Sequence, residues 1–507
     1  MNRTRERKTS WLILIILIAV FLASFLIKYY HVKDFDGLLA FDPNYFMART
    51  NYILSGHDPR QSAYDIAVKV DNYPFFMPLF IANLHNLTSI AVLTLYKILG
   101  PLLTSFLVFL MFIFLRRYFD DFPSALGAIY FVFAPVVLFR GQLTVAENLG
   151  LVFFLALLYC FSQNKSAENL ALGLFFWVTW CATHLSAFYL LPIILIWLII
   201  SKAIFRFWKL FIPLLVIGIS AMFVFWRLFF DASLYSLAIG YAKTFFVSNL
   251  YFAWPERGVF DSFLHFFILS PAIVGIPVSI YFAVKRRDSY SLIFAMTVFF
   301  VLILFVFHGT SKNMADITPD RMYPFVALTL AIFATFSSQL IFELNNALFV
   351  LYAVVFATLS IWPAKGRDVS WFEAYTPSEV EAAQWLDSNT PADSVIFSQP
   401  AMNRLISSIG QRYVLVGEEG MPTQILNLAP KQISAAAVSF GRNGSYVFIS
   451  KQKLNQLFKA RTTNGLEQSV GWDNPFQLYG LDLKKFANQH YFFKVFENDG
   501  VIIYTLI

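Results

Sequence analysis

The sequence predicts a polytopic α-helical membrane protein that ends in an extracytoplasmic α/β domain. Three observations lead to this fold class: a scarcity of charge, a series of long apolar runs, and a change to a more polar composition near residue 365. Charged residues make up 14% of the 507 residues, against about 25% in a soluble protein, and the mean hydropathy is +0.62. Because a globule of this size lacks the interior to bury so much apolar surface, the chain is expected to lie in a membrane.

The apolar runs predict about eleven membrane helices. The first run, 11–27, follows basic residues and has no small-residue cleavage site after it, which indicates an uncleaved helix with a cytoplasmic N-terminus. The later runs are 89–115, 124–139, 148–162, 168–183, 185–200, 210–229, 263–284, 290–307, 322–340 and 345–363. If they alternate, the basic clusters between them fall on the cytoplasmic side, and everything after residue 363 lies outside.

The composition of the chain changes after residue 365. Of the 69 charged residues, 25 lie in residues 366–507, which also alternate helix-like and strand-like segments. The helix-like segments are 377–389 and 451–462, and the strand-like ones are 394–397, 413–416, 446–449 and 501–507, the last after the turn Asn498-Asp499-Gly500. We therefore expect two domains, a transmembrane domain over 1–365 and an extracytoplasmic α/β domain over 366–507.

The loops predicted to face outward contain many polar side chains that are not needed to anchor the helix ends at the membrane surface. The main ones are the loop over residues 29–88, the turn from Arg140 to Asn148, the turn at Thr183-His184 and the loop over residues 308–321. The cytoplasmic loops carry mainly the Lys and Arg residues that set orientation. Any chemistry is therefore expected on the outer face.

Two acids stand close to the ends of predicted membrane helices. Asp42 precedes Pro43 and has the pattern of a helix cap, while Glu147 begins an apolar run, where the helix dipole favours a carboxylate. An acid at the bilayer centre costs about 2.5–3.5 kcal/mol and less near the interface, so such residues are commonly functional. The structural and the functional interpretation of both acids stay open at this point.

One stretch of the first external loop resembles a known family. Asp36-Gly-Leu-Leu-Ala-Phe-Asp42-Pro-Asn-Tyr-Phe-Met-Ala-Arg49 is similar to the first external loop of the oligosaccharyltransferase catalytic subunit, in which Asp-Pro is followed by aromatic residues and an Arg. Tyr73-Pro74 resembles a tryptophan-proline or tyrosine-proline pair later in the same loop. The wider resemblance is to the GT-C superfamily of polytopic glycosyltransferases, which use sugars linked to lipid phosphates.

The second external turn extends this resemblance and also departs from it. Arg140 and Glu147 have the spacing of an Arg and the acids that follow it in that family, but Leu149 stands where a second acid is usual. The acceptor motif WWDYG is absent, and Gly471-Trp472-Asp473-Asn474 matches it only in part.

The resemblance implies roles for individual residues. Asp42 would be the catalytic carboxylate that deprotonates or orients the acceptor nucleophile. Glu147 would be a second catalytic acid, which either binds Mg²⁺ or Mn²⁺ together with Asp42 or accepts a hydrogen bond from the sugar. The residues assigned to substrate binding are Arg321, Arg140, His184, Lys312, Asp36 and Arg49. Of these, Arg321 is the main candidate for the lipid phosphate, because a guanidinium matches phosphate oxygens, although it also suits an interfacial anchor, and His184 also suits a structural role.

The sequence therefore predicts a GT-C-type hexosyltransferase of the cell membrane. It would move a sugar from a polyprenyl- or dolichyl-phosphate-linked donor to a glycan, lipid or protein acceptor on the outer face. The alternatives are an oligosaccharyltransferase that moves a whole lipid-linked glycan to protein, a flippase or transporter of lipid-linked sugars, and a non-enzymatic assembly partner. A transporter often has internal repeats, which we do not find in the sequence. Nucleic acid is not expected as a partner, because the basic residues cluster at the ends of apolar runs.

Overall fold

A computed structural model of the chain describes residues 11–39, 41–65, 73–163, 167–184, 186–189, 266–286, 319–361, 375–398, 400–414, 429–439, 444–451 and 483–506. The chain divides into two compact units. The first comprises Met1–Lys33 and Lys97–Asp368, and the second comprises Asp34–Tyr96 and Val369–Ile507.

The described helices, in chain order, are α1 Trp11–Lys33, α2 Phe41–Leu54, α3 Phe76–Thr88, α4 Val92–Leu115, α5 Asp121–Phe133, α6 Pro135–Arg140, α7 Ala146–Ser162, α8 Ala167–Thr183, α9 Ser186–Tyr189, α10 Phe266–Arg286, α11 Pro319–Leu344, α12 Asn346–Ile361, α13 Pro377–Asn389, α14 Pro400–Ser408 and α15 Pro430–Ser439. A 3₁₀ helix covers Leu483–Ala487. The strands are β1 Val395–Ser398, β2 Tyr413–Val414, β3 Ser445–Ser450, β4 Phe492–Glu497 and β5 Val501–Leu506.

The first unit is helical, as the apolar runs predict. Among the described residues, three helices are long and apolar enough to cross a membrane, namely α1, α4 and the part of α11 over Ala327–Leu344. With the apolar composition, these helices make the chain a multi-pass membrane protein. The predicted spans 210–229 and 290–307, and most of 185–200, lie outside the described residues. The count of eleven helices and the orientation of both termini therefore stay predictions.

One predicted span is interrupted. The run 124–139 forms two helices, α5 and α6, that meet at Ala134, where the backbone is extended (ψ 129°) and Pro135 follows. The cause is local, because a residue before proline is pushed out of the helical region. By contrast, Pro101 lies inside α4, which continues past it as one helix.

Aromatic side chains join three helices in the core of the first unit. The rings of Phe154 on α7, Trp180 on α8 and Phe325 on α11 contact one another, with centroids 5.0, 5.4 and 5.9 Å apart. Gly150 lets α7 approach this cluster, since a Cβ at that position would lie 2.6 Å from Nε1 of Trp180. The close packing of α7 and α8 fixes the ends of both helices, where the polar residues lie.

The second unit contains the small C-terminal sheet that the sequence predicts. Its strand order is β2-β1-β3-β5-β4, with β1 parallel to β2 and β3, and with β5 antiparallel to β3 and β4. Alternate residues of the central strands enter two separate cores, one that includes α13 and α14 and one that includes α15 and the 3₁₀ helix. The turn between β4 and β5 is the predicted one, with Asn498 Oδ1 accepting the N–H groups of Gly500 and Val501. The predicted helix 451–462 lies almost entirely outside the described residues.

The first loop clusters with the C-terminal part, and the predicted domains 1–365 and 366–507 stay a prediction. The chain divides at Asp368/Val369, close to the predicted boundary, but Asp34–Tyr96 also belongs to the second unit. The physical reason is a set of polar contacts between α2 and α14. Asn51 Nδ2 donates to the backbone oxygen of Ser408 at 2.9 Å, and Ser408 Oγ donates to Asn44 Oδ1 at 2.8 Å.

Candidate functional site

The loop between α6 and α7 brings a buried arginine to a buried acid. Arg140 ends α6 and Glu147 lies in the first turn of α7, with Arg140 Nη2 at 3.7 Å from Glu147 Oε1. Asn148 shapes this loop, because its Nδ2 donates to the backbone oxygens of Arg140 (3.0 Å) and Leu143 (2.6 Å). The positive end of the α7 dipole adds to the stabilisation of the carboxylate.

His184 contacts the same carboxylate from the end of α8. Its Nε2 lies 3.7 Å from Glu147 Oε1. The backbone N–H of Ser186 donates to Nδ1 at 3.1 Å, so Nδ1 is an acceptor and a neutral ring carries its proton on Nε2, facing Glu147. Ser186 Oγ lies 2.7 Å from Nδ1 and accepts a hydrogen bond from Trp180 Nε1 at 3.1 Å. These bonds fix the ring, so the structure adds His184 to Arg140 and Glu147, which the sequence links only by their spacing. The three residues are here called the Arg140–Glu147–His184 cluster.

Close packing against α4 holds the loop of this cluster in place. The Gly100 N–H donates to Thr144 Oγ1 at 2.6 Å, and Thr104 Oγ1 donates to the Gly141 oxygen at 3.4 Å. A Cβ at Gly100 would overlap the carbonyl oxygen of Leu143. Glycine at position 100 is therefore what allows helix and loop to make these contacts.

Lys28, which the sequence analysis did not single out, lies beside the same loop. It is fully buried on α1, where its Nζ donates to Ser105 Oγ at 3.4 Å, and Ser105 Oγ donates to Ser24 Oγ at 3.1 Å. A Cβ at Gly141 would lie 2.8 Å from Lys28 Cε. The apolar run ends before Lys28, but α1 continues to Lys33, so the lysine lies inside the helix. A lysine within a membrane helix was the signal that could have identified it.

Asp42 lies in the second unit, in the first turn of α2. Its Oδ1 accepts a hydrogen bond from Arg404 Nη1 at 3.1 Å, and the Asp42 and Arg404 side chains are 28% and 33% exposed. Arg404 belongs to α14, and nothing in the local sequence marks it as a partner for an acid far away in the chain. The structure thus assigns Asp42 a cationic neighbour that sequence reasoning missed.

Arg49 fixes the first loop from within. Its side chain is buried, Nη1 donates to the Tyr73 oxygen at 2.9 Å and Nη2 donates to the Pro59 oxygen at 3.1 Å. The structure therefore joins two parts of the family resemblance, Arg49 and the Tyr73-Pro74 step. These contacts are structural, and a role for Arg49 in substrate binding stays a prediction.

The remaining candidates have fewer described contacts. Asp36 follows α1 and is exposed. Arg321 lies in the first turn of α11, but its side chain is outside the described part, and Lys312 is outside the described residues altogether. Their assignments to substrate binding stay predictions.

Within the described part of the chain, the side chains that pair with the two acids are not typical ligands of a hard divalent cation. Among the described residues, no group of three or more His, Cys, Asp or Glu side chains is arranged to hold a metal ion. Glu147 has a guanidinium and an imidazole beside it, and Asp42 has a guanidinium, whereas Mg²⁺ and Mn²⁺ prefer several oxygen ligands. The expected Mg²⁺ or Mn²⁺ therefore stays a prediction.

Comparisons with known proteins identify the fold. No family model and no curated protein sequence matches the chain. The archaeal oligosaccharyltransferase AglB of Archaeoglobus fulgidus, in complex with an inhibitory peptide and a dolichol-phosphate, matches with a TM-score of 0.61 and 13% identity over 87% of this chain and 69% of that one. ArnT of Cupriavidus metallidurans, bound to undecaprenyl phosphate, matches with a TM-score of 0.59 and 12% identity over 99% of both chains.

A third solved structure also matches almost the whole of this chain. The arabinofuranosyltransferase AftD from Mycobacteria matches with a TM-score of 0.55 and 12% identity over 97% of this chain and 40% of that one. All three are GT-C membrane glycosyltransferases, and the expected GT-C resemblance is confirmed at the level of the fold. The chain is therefore a multi-pass membrane protein with the GT-C fold.

Proposed function

We propose that this chain is a membrane glycosyltransferase that moves a sugar from a polyprenyl- or dolichyl-phosphate-linked donor to an acceptor. The observation that carries the proposal is the fold, which is similar to three glycosyltransferases, two of them in complex with a lipid phosphate. Fold alone does not imply activity, so the proposal also depends on what the two acids can do.

Asp42 is proposed as the general base. Its Oδ1 accepts a hydrogen bond from Arg404, and its side chain remains 28% exposed, so the carboxylate can accept a proton from a hydroxyl or amine nucleophile. As the nucleophile attacks the anomeric carbon of the donor, the bond from that carbon to the phosphate oxygen breaks, and the lipid phosphate leaves with the electron pair.

Glu147 is proposed as a fixed negative charge rather than a proton acceptor. It is only 4% exposed, so water screens its charge little, and its neighbours Arg140 and His184 hold the carboxylate in one position. Such a group suits stabilisation of the positive charge that develops on a sugar ring as its phosphate leaves. Arg321 remains the proposed ligand of that phosphate, with Lys312 as a weaker candidate.

The proposal includes the orientation of the chain in the membrane. The positive-inside pattern supports a cytoplasmic N-terminus and an extracytoplasmic C-terminal domain. Residues 366–507 are proposed to bind the acceptor, which could be a glycan, a lipid or a protein. Oligosaccharyltransferase activity is the second candidate, because AglB is among the similar structures, but the chain lacks the WWDYG motif.

The test is transfer of label from lipid to acceptor. The purified protein in lipid nanodiscs is incubated with radiolabelled polyprenyl-phosphate sugars and a membrane extract, and wild type is compared with Asp42→Asn. Asp58→Asn is the matched control, since Asp58 also pairs with an arginine, Arg60, in the same unit. We expect full transfer with wild type and Asp58→Asn and only a small residual transfer with Asp42→Asn, although all three unfold at the same temperature. Transfer only from a pyrophosphate-linked oligosaccharide would favour the second candidate, and no transfer from any donor would refute both.

A further inference from the structure

We infer that Arg404 is a positioning residue for Asp42, which it holds in the orientation that the transfer reaction needs. The inference rests on the proposed function, because it assigns Arg404 a part in the chemistry of Asp42. It also goes beyond the proposed acceptor-binding role of the C-terminal residues, since it makes one of them a support for the catalytic base.

The backbone that presents Arg404 is fixed. Arg404 lies on α14, and its neighbours Met402, Leu405 and Ile406 are fully buried in a core of the second unit. At the start of the helix, Ser398 Oγ donates to Asn403 Oδ1 at 2.6 Å. The position of the Arg404 Cα is therefore set by packing and not by the ion pair.

The backbone that presents Asp42 is fixed to the same helix. Ser408 lies one turn after Arg404 on the same face of α14, its Oγ donates to Asn44 Oδ1, and its backbone oxygen accepts a hydrogen bond from Asn51 Nδ2. Exposed ion pairs between two mobile side chains stabilise little. Here both partners extend from segments held by buried contacts, so the pair can define an orientation.

An aromatic ring restricts the guanidinium further. Arg404 Cζ lies 5.6 Å from the centroid of the Tyr45 ring, a distance typical of a cation–π contact. Tyr45 is held in turn by Arg49, whose Nη1 donates to the Tyr45 hydroxyl at 3.3 Å. The Arg404 guanidinium thus lies against the Tyr45 ring while its Nη1 binds the Asp42 carboxylate.

The chemical consequence concerns the direction of the carboxylate. With Oδ1 bound to Arg404 at 3.1 Å, rotation of the carboxylate about its Cβ–Cγ bond is restricted. A general base works only within hydrogen-bond reach of the proton that it removes. A displacement of about 1 Å is enough to lower a rate about 100-fold.

The experiment compares Arg404→Gln, Arg404→Lys and wild type in steady-state transfer assays with the lipid donor and the acceptor. Arg60→Gln is the control, because it removes an exposed arginine that pairs with Asp58 in the same unit. We expect Arg404→Gln to lower kcat about 10- to 100-fold while both KM values stay within about twofold of wild type, the pattern of a defect confined to the transition state. Arg404→Lys should recover part of kcat, since it keeps the charge but loses the planar fork.

A second measurement uses the residual transfer of Asp42→Asn. If Arg404 acts through Asp42, adding Arg404→Gln to Asp42→Asn lowers the rate no further, whereas a full additional loss would overturn the inference. Wild-type kcat in Arg404→Gln would also overturn it, as would a raised donor KM with unchanged kcat, which indicates a substrate ligand. If Arg404→Gln does not fold, Arg404→Lys decides by the same criteria. Absence of transfer in wild type would instead refute the proposed function itself.

Discussion

Replacing Glu147 by Gln separates the structural role of the Arg140–Glu147–His184 cluster from its chemical role. The change keeps the volume of the side chain and removes its charge. Arg140 Nη2 lies 3.7 Å from Glu147 Oε1, and at an effective dielectric constant of about 20 two unit charges at this separation attract by about 4–5 kcal/mol. The screening by solvent is small, because the two side chains are 6% and 4% exposed. Removing one partner of a buried pair typically costs about 3–5 kcal/mol, so we expect the free energy of unfolding to fall by about that amount.

A double variant tests whether the fall in the free energy of unfolding comes from the unpaired charge of Arg140. In Arg140→Met/Glu147→Gln both charges are gone, and replacing a buried pair by neutral groups is often close to neutral in stability. We measure the free energy of unfolding by denaturation in nanodiscs, followed by tryptophan fluorescence. The value for the double variant should be higher than for Glu147→Gln and close to that of wild type. We expect sugar transfer to be lost in both variants. Glu168→Gln is the matched control, because Glu168 stands in the same sequence, Ala-Glu-Asn-Leu, in the first turn of α8 but is exposed.

Two results would refute this reasoning. Wild-type stability of Glu147→Gln would mean that the buried carboxylate and Arg140 do not stabilise each other. A double variant that folds and transfers sugar at the wild-type rate would mean that the cluster serves the fold alone.

Two further changes test the packing of the loop and the electrostatics of the second unit. Gly100→Ala places a methyl group against the Leu143 oxygen, and such overpacking costs about 1–3 kcal/mol, so the unfolding midpoint should fall; an unchanged midpoint would show that the loop moves at no cost. Hydrogen bonds from Lys451 and Lys494 lower the pKa of Glu497 from 4.5 to about 2. Its contribution to stability is therefore complete above about pH 4.5 and is lost as the pH falls towards 2. The stability of Glu497→Gln should lack this dependence on pH, and an identical acid titration of the two proteins would contradict the assignment.

Much of the fold follows from patterns that are local in sequence. Long apolar runs become helices such as α1 and α4, and short runs of β-branched and aromatic residues become β1, β3 and β5. The departures also have local causes, such as the break at Ala134 before Pro135. Strand β4 was not predicted, because Phe492–Glu497 lacks a clear alternation of burial, with three of its six residues exposed and two half-buried.

The candidate site could be predicted only in part, and two copies of one sequence show why. Ala-Glu-Asn-Leu begins both α7 and α8, yet Glu147 is buried beside Arg140 and His184 whereas Glu168 is exposed. Propensity and the helix dipole act equally on both acids, so the difference arises from which helices pack around each one. The Asp42–Arg404 pair is a stronger case, because its partners are 362 positions apart and no local pattern joins them.

The environments of the two acids, each described within its own unit, suit different roles in the proposed reaction. A base must exchange a proton with its substrate during each turnover, so it needs access, and the Asp42 side chain is 28% exposed while its Oδ1 binds Arg404. A group that acts through its charge alone needs no access and gains from burial, because the interior screens its field less than water does. Glu147 meets that condition, since it is buried, and His184 Nε2 lies 3.7 Å from its Oε1 while Ser186 binds the other ring nitrogen. In the proposed reaction, Asp42 is therefore the residue that accepts the proton, and Glu147 is the residue that keeps its charge throughout.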